Sequence, residues 1–255
     1  MKVSESEIQA LRERFLREGR HWRPLQEGLA RFDPEWLDIY GGIATGALLS
    51  LKLRHLIWVA VDASTTHLYE TGIRHHAILA QKSGATREEI FEALQVTTEA
   101  ISLSPKAALP ILMEELHAAG REDEIRVSAA LSDEQKKMKE DFIKTVGCWP
   151  AWLEWACRAM PEFAAVYCRL AARPYKTGTL SSKERALISV AVYAAPTTLH
   201  EPSIRDAVRL ALRHGATGGE IAEAIWLASG IGLHTMAIGA PAVLKAIDGI
   251  DIPQL

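Results

Sequence analysis

Four side chains able to hold or move a proton fall close together in one stretch: His67, Glu70, His75 and His76. Imidazole titrates near neutral pH, so it can give or take a proton there, and a nearby carboxylate can orient it. His55 precedes them, and Arg74 follows Glu70 by four residues, where a guanidinium could hold a substrate carboxylate. Each residue also has a plainer role. Glu70 is placed to favour the positive end of a helix, Arg74 to pair with it at i,i+4, and His75 to face solvent. Histidine and glutamate are competent metal ligands, yet His-x-x-Glu is much looser than the helical His-Glu-x-x-His pattern. No metal and no cofactor is expected.

The elements that must position these groups come in two copies. Sliding Lys52–Ile90 onto Lys183–Ile221 needs no gap and matches 20 of 39 residues at an offset of 131. Unrelated segments of ordinary composition would match at roughly two or three. Upstream, Phe15, Trp22, Glu27, Pro34 and Tyr40 fall on Phe142, Trp149, Glu154, Pro161 and Tyr167 at an offset of 127. The chain is therefore a tandem duplication: a first repeat over residues 1–118, a linker running into the second repeat over 119–139, and the rest of the second repeat over 140–255. The copies differ where chemistry is at stake. His55, His67, His75 and His76 face Ala186, Thr198, Asp206 and Ala207, whereas Glu70 and Arg74 recur as Glu201 and Arg205.

Helical periodicity predicts helices over residues 5–20, 25–32, 35–47 and 49–63, then one from about His67 to Lys82. Thr86-x-x-Glu89 and Thr217-x-x-Glu220 read as capping boxes, as does Thr198-x-x-Glu201. By that analogy position 67 would be a helix N-cap, for which imidazole is a poor choice. No alternating pattern of strand length occurs, so the fold class is all-α.

Bulk properties narrow the function. Net charge is −3, which offers no basic field for nucleic acid. No uninterrupted apolar run of membrane-spanning length stands out, and the amino-terminal stretch is charged, so no membrane partner and a cytoplasmic location are expected. Cys148, Cys157 and Cys168 lie among apolar neighbours without a Cys-x-x-Cys pair and read as buried thiols.

The segments K-x-R-x-L-I-x-V-A-V, T-x-L-x-E-x-x-I-R and G-A-T-x-x-E-I resemble the carboxymuconolactone decarboxylase family, which also contains the alkylhydroperoxidase D-like disulfide reductases. The likeness covers both repeats. In the thiol-using branch the pattern is Glu, eleven residues, Cys-x-x-Cys, three residues and His; the same register here holds His55, His67, Glu70 and Arg74. Thiol–disulfide exchange needs a thiolate, so peroxidase chemistry is not expected. In the decarboxylase branch a histidine stands eight residues before the Gly of the G-x-T segment, as His76 does before Gly84. The resemblance implies a cofactor-independent decarboxylase acting on a small lactone or keto carboxylate, with His67, Glu70 and His76 catalytic and with Arg74, His55 and His234 binding substrate. His234 belongs to a Gly-x-His segment of the second copy, which suggests residues lent between copies. The resemblance also implies a homotrimer forming a ring of six repeats. The alternatives are a non-catalytic ligand-binding or scaffold protein, and an isomerase or hydrolase of a related lactone.

Overall fold

The computed structural model describes residues 3–18, 22, 24–42, 48–249 and 251, and shows no strand among them. In the first copy the helices are α1 (Glu5–Arg17), α2 (Pro24–Phe32), α3 (Pro34–Gly42), α4 (Leu51–Asp62), α5 (Glu70–Lys82), α6 (Arg87–Thr97) and α7 (Leu103–Ala118). A 3-10 turn, Thr98–Ser102, joins α6 to α7. The second copy repeats them as α8 (Asp133–Val146), α9 (Ala151–Ala159), α10 (Pro161–Thr177), α11 (Ser182–Ala194), α12 (Glu201–Arg213), α13 (Gly218–Ser229) and α14 (His234–Asp248), with Gly230–Leu233 as the matching 3-10 turn. The helix expected to run to residue 47 is described only to Gly42, and the remainder lies outside the described residues.

Helix α4 and its counterpart α11 form the centre. Every residue from Arg185 to Tyr193 is buried, as are Leu56, Ile57, Val59, Ala60 and Val61. Burying such side chains stabilises by roughly 1.5–3 kcal/mol each, enough to make the contact between copies part of the core rather than a docking surface. Ala240 of α14 joins Ile8, Phe15, Leu29 and Leu37 in the cluster under α1–α3, so the last helix closes the first copy.

The duplication is visible atom by atom. Arg185 Nη1 lies 2.5 Å from Glu92 Oε1, and its counterpart Arg54 Nε lies 3.7 Å from Glu223 Oε1. Glu92 also accepts from the Thr179 and Leu180 amides, and Glu223 from those of Leu48 and Leu49. Each copy thus pins the loop and helix of the other with a nearly buried carboxylate. Trp22 and Trp149 donate to Glu27 and Glu154, and each stands edge-on to a phenylalanine, Phe15 and Phe142.

Gly218–Asp248 has the length and hydropathy of a membrane-spanning helix, although the sequence suggested none. Half of its most apolar window is buried inside the protein, which is how the core helices of a folded domain pass the same test. Of the three thiols expected to be buried, Cys157 and Cys168 are, and burial pushes them up to about 11 and about 12, whereas Cys148 is only half-buried.

Candidate active site

The turn between α4 and α5 is where the sequence reading needs correction. His67 does not cap a helix. It lies in the turn Ser64–Tyr69, and α5 begins only at Glu70, after Tyr69. Leu68 takes φ 47° here and Leu199 takes φ 42° at the matching point, a left-handed conformation that costs a leucine roughly 1–2 kcal/mol. In the second copy the cap is His200, whose side chain accepts from the Ser203 amide, not Thr198. The expected caps at Thr86 and Thr217 are complete. A tight turn whose backbone is held by the Tyr69 amide donating to the Asp62 carbonyl is not legible from side-chain types alone.

The turn brings His67 against the other copy. His67 Nε2 lies 2.8 Å from His234 Nδ1, with the rings stacked 5.1 Å apart. His234 starts α14, so the second copy supplies half of the pair. Behind them sits Asp62, the last residue of α4 and wholly buried. Its Oδ1 is 3.6 Å from His234 Nδ1, beyond hydrogen-bond reach, and neither carboxyl oxygen has a hydrogen-bond partner. Burial pushes the Asp62 carboxyl up to about 8. Burial likewise lowers His234 to about 4, helped by neighbouring His67, which is itself lowered by burial. All three groups are thus driven toward their neutral forms.

His76 pairs elsewhere. Its Nδ1 is 3.3 Å from His55 Nδ1, and its ring stacks 5.2 Å from Trp58. Trp58 in turn tilts toward His234 at 6.2 Å. The rings of His55, His76, Trp58, His234 and His67 therefore form one continuous row, with Tyr69 against His234 at 4.4 Å. Two glycines make room for it. A Cβ on Gly72 would lie 2.2 Å from Asp62 Oδ2, and one on Gly230 would lie 2.2 Å from the Trp58 ring.

Of the expected catalytic set, His67 and His76 stand at opposite ends of Trp58, and Glu70 joins neither. The Glu70 side chain is 82% exposed and pairs at 3.6 Å with Arg74, itself exposed, so the i,i+4 pairing describes both. His75 packs edge-on against His76 and is half-buried, not fully solvated. Sequence reasoning missed Asp62, Trp58 and Tyr69. The available signal was a lone acid in the apolar run Trp58–Ala63, facing Tyr193 in the second copy.

The counterpart site in the second copy has other contents. Lys106, nearly buried, lies 2.9 Å from Ser203 Oγ, and that hydroxyl is 2.9 Å from His200 Nδ1. Glu99, Tyr193, Cys148 and Asp206 complete a cavity of about 50 Å³. A larger hollow, about 750 Å³, is an open groove between α8 and α10 with no imidazole in it. Size alone does not mark the site; convergent polar groups do.

A two-copy helical bundle in which a histidine cluster is completed across the copies defines the class of protein. The chain belongs to the Carboxymuconolactone decarboxylase family, whose profile matches residues 32–112 and 161–246. It is similar over its whole length to a crystal structure described as a "putative gamma-carboxymuconolactone decarboxylase subunit" from Burkholderia xenovorans LB400. The two share 30% identity with a TM-score of 0.86, over 95% of this chain and 98% of that one. Among curated proteins none matches the chain significantly.

Proposed function

We propose that the chain is a decarboxylase that uses no organic cofactor and acts on a small lactone or keto carboxylate through the histidine row. The observation that carries this reading is the contact between His67 and His234, from two copies, over a buried acid. Family membership adds to it. When the carbon–carboxylate bond breaks, CO₂ leaves and the electron pair moves into the adjacent carbonyl system. Charge at that enolate-like oxygen is stabilised by the His67–His234 pair, and His76 returns one proton to carbon. Trp58 offers an apolar wall between the two imidazole pairs, which disfavours the substrate carboxylate relative to the neutral CO₂ it becomes.

The test is turnover. Purified protein is incubated with lactone carboxylates and β-keto acids, and CO₂ release is followed. His76→Ala and His234→Ala should each lower kcat by on the order of 100-fold or more, with helical circular dichroism unchanged. Saturable binding without CO₂ would replace this reading with a ligand-binding protein. We also propose that three chains assemble into a ring of six copies. Leu68 and Leu199, which are 66% and 65% exposed at matching turns, are natural contacts for such repetition. Light scattering at three chain masses is the expected result, and a monomer would refute it.

A further inference from the structure

We infer that Asp62, His67 and His234 form a binding site for one divalent transition-metal ion per chain, joining the two copies. This rests on the same site as the proposed decarboxylase and would add a positive charge to it.

The argument starts from Asp62. A carboxyl with no exposed surface and no hydrogen-bond partner on either oxygen is costly in a folded protein, and such a group calls for an explanation. No lysine or arginine pairs with it among the described residues. His234 Nδ1 stands 3.6 Å from its Oδ1. His67 Nε2 converges on that same nitrogen at 2.8 Å, and one donor atom from each of the three residues lies within 4.8 Å of the others. A hydrogen-bonded relay would use the two different nitrogens of His234. Here both neighbours crowd one nitrogen, which is the arrangement of ligands around a shared centre.

The dimensions fit. Ligands held at about 2.1 Å from an ion are separated by roughly 3.0 Å at right angles and 3.4 Å at tetrahedral angles. Two of the three edges, 2.8 Å and 3.6 Å, bracket that range, and the third, between Asp62 and His67, lies within 4.8 Å and would shorten as an ion drew the two ligands together. Two imidazoles and one carboxylate suit zinc, iron(II), cobalt or manganese, and three protein ligands leave positions open for a substrate carbonyl. The ion would give the buried carboxylate its missing counter-charge. The glycine at position 72 is required to seat Asp62, since any Cβ would strike Oδ2. The matching positions on the other side of the duplication are Tyr193, Thr198 and Leu103, so the site has no counterpart there, and it is the one such cluster among the described residues.

The experiment uses tag-free full-length protein, stripped with chelator and titrated with Co²⁺ and Zn²⁺ by calorimetry, with the visible spectrum of the cobalt form recorded. One ion per chain is expected, with a rise in Tm because the ligands tie α4 to α14. The isosteric Asp62→Asn should weaken binding at least 10-fold and His234→Ala at least 100-fold, while Tyr193→Phe should leave it unchanged. Absence of binding, or binding that survives both ligand substitutions, overturns the inference. Turnover that persists in fully stripped protein overturns the metal's part and leaves the decarboxylase standing. Metal binding without turnover keeps the site and removes the proposed reaction.

Discussion

The first copy places an acid and two histidines where the second places a tyrosine, a threonine and a lysine-bearing cavity. Both sites are built from the same parts: a central helix, a strained turn, a second helix, and the 3-10 junction of the opposite copy. His234 follows the junction Gly230–Leu233, and Glu99 and Lys106 belong to the junction Thr98–Ser102 and the helix after it. Gly230 and Glu99 occupy matching positions. Gly230 leaves space for Trp58, whereas Glu99 fills the corresponding space beside the smaller Ser189. Exchange of residues across a pseudo-twofold frame lets one site change without disturbing the other. That separation lets a duplicated chain keep one scaffold and two differently furnished sites.

The frame itself is asymmetric, and the largest expected effect tests this. Arg185 and Glu92 are 5% and 2% exposed, whereas Arg54 and Glu223 are 16% and 7% exposed and farther apart. Arg185→Ala leaves a buried carboxylate without its cation and should cost about 3–5 kcal/mol in urea unfolding. Arg54→Ala should cost distinctly less. Equal losses would show that the two locks are equivalent.

The glycine at position 72 separates the sites next. Gly72→Ala drives a methyl into Asp62 and Tyr69 and should cost about 1–3 kcal/mol. Its counterpart already carries the Ser203 side chain, so Ser203→Gly should disturb only the hydrogen bonds to Lys106 and His200. A stable Gly72→Ala protein would mean that Asp62 can vacate its place.

Glu99 gives the pH test. Burial raises its carboxyl from 4.5 to about 7, opposed by Lys106 and Arg185. The folded state then holds a proton that the unfolded state releases, so stability should fall as pH rises between about 4.5 and 7 and level off above. Glu99→Gln should therefore match the parent at pH 4.5 and exceed it at pH 8, by roughly 3 kcal/mol. A pH-independent difference would place the Glu99 carboxyl in an ordinary setting.

The smallest effects belong to the shared surface pairs. Glu70→Ala and Glu201→Ala each break an exposed i,i+4 pair with Arg74 or Arg205 and should change stability by less than about 0.5 kcal/mol. Turnover lost in Glu70→Ala alone would mean that contact with another chain brings this carboxylate to a site.

The residue pattern by itself determined the duplication, the all-α class and the family. These follow from repeats, periodicity and motif register, which are local or one-dimensional properties of the chain. It also singled out His55, His67, His76 and His234 as groups worth watching. It did not determine which of them meet, because His67 and His234 are 167 residues apart and touch only once the copies pack. Nor could it reveal Asp62 as an unpartnered acid, since burial depends on what the remainder of the chain places around a side chain. Tertiary packing alone decided that Glu70 faces water and that His234 completes the first copy's site.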